Sequence, residues 1–104
     1  VLSIPINHGQ GRYFTDNDTL QRMKDNGQVL FRYCDAEGNT PDTANPNGSL
    51  DHIAGVANAA KNVMGMMPHP ERVFRAVQNS WHPDDWQENS PWMRIFNNAR
   101  VWID

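Results

Sequence analysis

Two prolines flank a histidine in the second half of the chain and restrict the backbone conformation of this short segment. The segment reads Pro68-His69-Pro70-Glu71. Because a proline disfavours the α region for the residue before it, His69 is biased to extended backbone, where residues two apart share a face. The sequence therefore predicts that the His69 and Glu71 side chains lie together. A carboxylate that holds one imidazole nitrogen leaves the other free, so this pair has the chemistry of two members of a catalytic triad.

The length and charge of the chain limit its size class and its partners. With 104 residues it is one domain or less, and 38% hydrophobic with 20% charged residues is a globular composition. A net charge of −3 leaves no basic stripe to neutralise phosphates, so we expect no nucleic-acid partner. No apolar run approaches the roughly 20 residues of a membrane span, so we expect no membrane partner. A single cysteine, Cys34, fits the reducing cytoplasm, which is the predicted location.

The first half of the chain predicts strands, a helix and a long loop. Residues 1–6 and 13–14 are β-prone on either side of a glycine-containing turn, which predicts two strands. Asp16 or Asn17 is predicted to cap a helix over residues 17–26, and residues 28–34 alternate like a strand buried on one face. Residues 35–51 are mostly turn-forming and predict a surface loop, which either borders a site or is a plain insertion.

The second half of the chain predicts a hairpin and a terminal helix. Apolar runs at residues 53–56 and 63–67 flank a polar turn, which predicts a β-hairpin that ends just before His69. Residues 72–77 are predicted to start a helix that residues 81–86 interrupt. Ser90 and Pro91 are typical of an N-cap and a first helical position. The final helix is predicted to carry an apolar face of Trp92, Ile95, Phe96, Ala99 and Trp102.

Three further groups of residues have both a functional and a structural interpretation. The histidines could form a zinc site, but no paired metal-ligand spacing such as His-x-x-x-His is present, so we expect no metal site. The methionines are interpreted as core residues, and the tryptophans as anchors of the tail rather than a partner surface. These groups are His52, His69 and His82; Met64, Met66 and Met67; and Trp81, Trp86, Trp92 and Trp102.

Several blocks of the sequence, in order, resemble one protein family. They are residues 4–12 (IPINHGQGR), 28–33 (QVLFRY), 45–49 (NPNGS) and 67–72 (MPHPER). Together they resemble the second half of a class I glutamine amidotransferase domain, which implies a flavodoxin-like α/β fold with a mixed or largely antiparallel sheet here. Residues 80–83 (SWHP) and 90–100 (SPWMRIFNNAR) narrow the resemblance to the large-form phosphoribosylformylglycinamidine synthases. Residues 1–104 are thus predicted to be the carboxyl-terminal half of a glutaminase domain, a single incomplete domain.

The resemblance implies a cysteine, histidine and glutamate triad, in which His69 and Glu71 match the family's histidine and glutamate. The thiolate would attack the glutamine amide, the histidine would protonate the departing ammonia, and water would cleave the thioester. Ammonia would pass to a synthetase part of the same polypeptide, an ATP- and magnesium-dependent carbon–nitrogen ligase that makes formylglycinamidine ribonucleotide in purine biosynthesis. The expected partners are glutamine, the upstream half of the glutaminase domain and the synthetase part, with no cofactor in this chain.

The nucleophile of the implied triad is expected upstream of Val1. Cys34 is flanked by Tyr33 and Asp35, without the glycines of a nucleophile elbow, so it is interpreted as a structural thiol. The chain begins inside an apolar segment. We therefore expect it to be a piece of a longer protein that is inactive alone as a glutaminase.

The resemblance also makes His8, Gly9 and Gln10 candidate substrate-binding residues. The family usually has glutamate at the position of Gln10, so an amide can still form hydrogen bonds there but the charge is lost. The alternative to an enzyme is a non-catalytic packing or binding module that keeps the amidotransferase fold. Contact between His69 and Glu71 beside an open groove would favour the enzyme over that module.

Overall fold

The chain folds into two compact units. A computed structural model describes residues 2–6, 12–79 and 81–103. Of these, residues 12–68 belong to the first unit, and residues 2–6, 69–79 and 81–103 belong to the second. The first unit contains helix α1 (Asn17–Asp25) and strands β1 (Val29–Arg32), β2 (Ile53–Ala57) and β3 (Met64–Met66), and the second contains helix α2 (Met93–Ile103). Three antiparallel strands and two helices confirm the predicted α/β class.

Helix α1 begins and ends where its capping residues predict. The Asp16 carboxylate accepts a hydrogen bond from the Thr19 backbone N–H at 2.6 Å. This bond is the main reason that the pKa of Asp16 lies below its ordinary value. Gly27 follows the helix at φ 66°, a left-handed conformation that glycine adopts without steric cost. The helix buries Met23, whose sulfur accepts a hydrogen bond from the Tyr13 hydroxyl.

The three strands form one antiparallel sheet in the order β1-β2-β3. Strands β2 and β3 pair from Gly55 opposite Met66 to Ala57 opposite Met64, which confirms the predicted hairpin. Strand β1 alternates half-buried and exposed residues, as predicted for a strand with one buried face. Strand β2 lies in the centre of the sheet, and its first residue, Ile53, is only 2% exposed.

Truncation of Ile53 to alanine is expected to destabilise the sheet strongly. The change removes a nearly fully buried side chain from the central strand, and such changes cost about 2–5 kcal/mol through lost burial and a residual cavity. Urea unfolding followed by far-ultraviolet circular dichroism, which reports on the sheet and α1 of this unit, measures the free energy of unfolding. Val63→Ala is the control, because Val63 is exposed and its loss should cost less than about 0.5 kcal/mol. Equal losses in both variants would contradict this assignment of the core.

The loop between β1 and β2 is ordered by side-chain hydrogen bonds. Apart from two short 3₁₀ turns, Asp42–Ala44 and Leu50–His52, residues 35–51 have no regular structure, as predicted. The buried Ser49 hydroxyl accepts a hydrogen bond from Tyr13 N and donates one to Ile53 O. The Asn45 side chain bonds to both the N–H and the carbonyl of Ser49. Ser49 therefore ties the loop to the start of β2.

Asp51 and His52 take a left-handed backbone immediately before β2. Their φ angles are 52° and 59°, a conformation that costs non-glycine residues about 1–3 kcal/mol each. The Asp51 carboxylate accepts a hydrogen bond from Arg32 at 2.8 Å and lies 3.8 Å from Lys24 Nζ. The bond from Arg32 is the main cause of the lowered pKa of Asp51. His52 Nε2 donates to the Pro41 carbonyl at 3.1 Å, so contacts on both side chains hold the strained turn.

The second unit packs short turns against the segment that precedes α2. It contains 3₁₀ turns at Pro70–Arg72 and Ala76–Gln78 and an antiparallel bridge between Arg75 and Asn89. The buried apolar residues that the structure describes in this unit include Val73, Ala76 and Trp92. The Trp92 indole N–H donates to the Ser3 carbonyl at 2.8 Å, so residues 2–6 join this unit.

Two predictions of regular structure were wrong. Residues 2–6 and 13–14 form no strand, although they are β-prone, and residues 8–11 of the predicted turn lie outside the described residues. Residues 72–77 do not start an α-helix. Instead, Ala76 N donates to Glu88 O at 2.7 Å and Ser90 N donates to Phe74 O at 2.8 Å. The backbone groups of Phe74 and Ala76 thus form hydrogen bonds to residues 88–90 rather than within a helix.

The apolar residues of the hairpin and of α2 are less buried than predicted. Met64 is exposed rather than a core residue. The predicted final helix is confirmed, but its side chains at Phe96, Ala99 and Trp102 are exposed, and Trp81 is exposed too. In the described part of the chain, neither helix, at nine and eleven residues, has the length and apolar content needed to cross a membrane.

Candidate functional site

The His69 and Glu71 side chains are in contact. Glu71 Oε1 lies 2.6 Å from His69 Nδ1, and because a carboxylate only accepts, the imidazole N–H donates. His69 is close to extended, at φ −109° and ψ 89°, as the following proline predicts. The extended conformation does not continue to Glu71, because Pro70–Arg72 form a 3₁₀ turn with proline at its first position. The predicted contact is therefore present, but a turn rather than a strand brings the two side chains together.

Backbone hydrogen bonds close this turn on both sides of Glu71. Arg72 N donates to His69 O, and Val73 N donates to Pro70 O, each at 3.1 Å. Pro70 and Val73 are buried, whereas the Glu71 side chain is 54% exposed. The turn is thus anchored by the buried residues Pro70 and Val73, while the carboxylate of Glu71 and the imidazole of the preceding His69 are partly exposed.

The electrostatics of the pair keep Glu71 ionised. The hydrogen bond from His69 is the main cause of a Glu71 pKa below the ordinary value of 4.5. The His69 side chain is 40% exposed, and its Nε2 makes no hydrogen bond to any of the described residues. An imidazole held through Nδ1 can take a proton at Nε2 and return it, which is the work of a general base and acid. A nucleophile within hydrogen-bond reach would complete the constellation.

Cys34 does not have the surroundings of an activated nucleophile. It lies two residues after β1 in the first unit and is half-buried. The next residue, Asp35, begins a turn in which its carboxylate accepts hydrogen bonds from Glu37 N and Asn39 N. A nucleophile elbow instead joins a strand directly to a helix. This geometry supports the interpretation of Cys34 as a structural thiol.

The candidate substrate-binding residues His8, Gly9 and Gln10 lie outside the described residues. Arg12, which follows them, lines a hollow of about 240 Å³ on the first unit together with Tyr13, Gly55, Gly65 and Met66. The hollow is mainly apolar, so it supplies few of the polar contacts that a glutamine side chain requires.

The histidines considered as zinc ligands have separate partners. His52 bonds to the Pro41 carbonyl, His69 to Glu71, and His82 to the Pro83 carbonyl. His82 also stacks on Trp86, with ring centroids 5.8 Å apart. Across residues 2–6, 12–79 and 81–103, no three His, Cys, Asp or Glu side chains form a group that could hold a metal ion.

The sequence did not predict that the Ser90 side chain would form a hydrogen bond to the residue that follows the Pro70–Arg72 turn. Ser90 and Pro91 were predicted as the N-cap and the first position of the final helix, but α2 begins at Met93. The Ser90 hydroxyl nevertheless accepts a hydrogen bond from Trp92 N at 3.2 Å. The same hydroxyl also donates to the carbonyl of Val73, seventeen residues away. No local pattern predicts a bond of that separation.

The chain is thus an α/β protein that holds a histidine and a carboxylate in hydrogen-bond contact. The chain matches the family model of CobB/CobQ-like glutamine amidotransferase domains over residues 1–103. It belongs to that family. The resemblance to glutamine amidotransferases is thereby confirmed at the level of the domain, and the activity class of the family is glutamine-dependent amidotransfer.

Proposed function

We propose that this chain is the carboxyl-terminal half of the glutaminase domain of a large-form phosphoribosylformylglycinamidine synthase. The observation that carries the proposal is the 2.6 Å contact between His69 Nδ1 and Glu71 Oε1 in a chain of the amidotransferase family. The two side chains are in contact and are not buried in separate contacts, which favours an enzyme over a non-catalytic module that keeps the fold. The tail at residues 80–83 and 90–100, which resembles these synthases, supports the particular enzyme.

In the proposed reaction, His69 transfers protons and Glu71 orients it. His69 Nε2 takes the proton of a cysteine thiol from the upstream half of the domain, and the thiolate attacks the side-chain amide carbon of glutamine. The imidazolium then protonates the amide nitrogen, the C–N bond breaks, and ammonia leaves a γ-glutamyl thioester. In the second half, His69 takes a proton from water, whose oxygen attacks the thioester. The C–S bond breaks, the proton returns to sulfur, and glutamate is released.

The ammonia produced is proposed to react in a synthetase part of the same cytoplasmic polypeptide. There, ATP with magnesium would activate the glycinamide carbonyl oxygen of formylglycinamide ribonucleotide, and ammonia would displace the activated oxygen to give the amidine, while the formyl group is retained. In the complete domain, the antiparallel strands of this chain would extend a flavodoxin-like sheet whose parallel strands and nucleophile elbow come from the upstream half. This chain would supply the proton-transfer pair for ammonia release.

The test is amidine formation by the complete protein. With glutamine, ATP, magnesium and formylglycinamide ribonucleotide, we expect glutamate and the amidine to form together. Cys34→Ala should leave this rate unchanged, because the proposed nucleophile lies elsewhere, and residues 1–104 alone should release no ammonia from glutamine. Amidotransfer to a different acceptor, without amidine, would contradict the particular enzyme. Loss of the rate in Cys34→Ala would contradict the upstream nucleophile.

A further inference from the structure

A buried hydroxyl lies behind the turn that carries His69 and Glu71. We infer that Ser90 is a positioning residue, which sets the orientation of this pair by holding the Val73 carbonyl at the end of the turn. The inference rests on the proposed function, because it assigns Ser90 a part in the glutaminase reaction.

The hydroxyl and the turn are connected by two consecutive hydrogen bonds. Ser90 Oγ donates to Val73 O, and Val73 N donates to Pro70 O, which closes the turn around Glu71. Ser90 is 4% exposed and Val73 is 1% exposed, so water does not readily replace the hydroxyl as a donor. The position of Val73 therefore depends on Ser90, and the position of Glu71 depends on Val73.

Ser90 is itself held on two sides. Its backbone N–H donates to Phe74 O at 2.8 Å, beside the antiparallel bridge of Arg75 with Asn89. Its hydroxyl accepts from Trp92 N, at the entry to α2. A side chain fixed to both the bridge and the helix start is a rigid support, which is what the second layer around a catalytic group requires.

Without the Ser90 hydroxyl, the Val73 carbonyl would be held by a weaker hydrogen bond. The described donors to Val73 O would be reduced to Asn79 Nδ2, at the longer distance of 3.3 Å. Displacement of a catalytic group by about 1 Å costs on the order of 100-fold in rate. Because such a displacement moves the proton-transfer pair and not a glutamine-binding group, the loss should appear in kcat and not in KM.

The experiment uses Ser90→Ala in the complete protein, with amidine formation as the readout. We expect kcat with glutamine to fall by about 10- to 100-fold, with an unchanged KM for glutamine and an unchanged rate with ammonium. Ser90→Thr retains the hydroxyl and should keep a kcat close to that of the wild type. Glu88→Gln is the matched control, because it breaks the exposed ion pair of Glu88 with Arg75 beside the same bridge and should change nothing.

Several outcomes would overturn the inference. A wild-type kcat in Ser90→Ala, an equal fall in Ser90→Thr, or a fall in kcat matched by a rise in KM would each do so. Ser90→Cys keeps the size of the side chain with a weaker donor, so its kcat should lie between those of alanine and wild type. It provides the same test if the alanine variant does not fold.

His69→Ala in the same assay separates this inference from the proposed function. If His69→Ala loses the glutamine-driven reaction while Ser90→Ala does not, only the role of Ser90 is overturned. If His69→Ala keeps the glutamine-driven reaction, the proposed function itself fails.

Discussion

His69→Ala in the complete protein is expected to lower glutamine-driven amidine formation by about 10²–10⁴-fold, while ammonium-driven formation continues. The reason is that the imidazole is the proposed acid and base for ammonia release, and free ammonium bypasses that step. Amidine formation with each nitrogen donor, at saturating ATP and formylglycinamide ribonucleotide, measures the difference.

His82→Ala is the matched control for this variant. His82 is a half-buried histidine of the same unit whose Nδ1 bonds to a backbone carbonyl rather than to a carboxylate. We expect it to retain both reactions. If His69→Ala also retains both at equal rates, His69 is structural and the proposed mechanism is wrong.

Glu71→Gln is the second variant for which we expect a large effect. The substitution keeps the size of the side chain but removes the charge that stabilises an imidazolium. Its amide can also donate to Nδ1, which favours the tautomer with the proton on Nε2. We expect kcat with glutamine to fall by about 10²–10⁴-fold. Glu88→Gln makes the same chemical change at an exposed ion pair, and equal rates in the two variants would contradict the assignment.

The pH dependence of the wild-type reaction follows from the same contact. Because the hydrogen bond from His69 lowers the pKa of Glu71 below 4.5, the carboxylate stays ionised through the neutral and mildly acidic range. The contribution of this contact to the free energy of unfolding is fully present above the pKa of Glu71 in the unfolded chain. It is lost as the pH falls through the lower pKa of Glu71 in the folded chain. As the pH is lowered, kcat/KM for glutamine should therefore show no fall with an apparent pKa near 4.5, the ordinary value for a glutamate.

The parts of the fold that the sequence predicts are those determined by neighbouring residues. Asp16 and Gly27 bound α1 because capping and left-handed glycine are local preferences. The hairpin of β2 and β3 follows from two apolar runs about a short turn. The contact of His69 with Glu71 was predictable for the same reason, since only Pro70 separates them.

The parts that the sequence does not predict depend on distant residues. Residues 72–77 have the composition of a helix, but their backbone pairs with residues 88–90, and this tertiary pairing overrides local preference. Residues 2–6 are β-prone, yet a strand requires a partner, and this segment instead accepts a hydrogen bond from Trp92. The bond of Ser90 to Val73 joins positions that no periodic pattern connects.

The single residue between His69 and Glu71 has a consequence for how the proposed active site is assembled. Pro70 has a fixed φ and lies at the first position of the turn, so few alternative conformations of this segment compete in the unfolded chain. A loop this short also closes with little entropic cost. In the proposed mechanism, the base and its orienting carboxylate are therefore preorganised before glutamine binds. In the proposed mechanism, the conformational entropy lost in assembling the triad then falls almost entirely on bringing in the nucleophile.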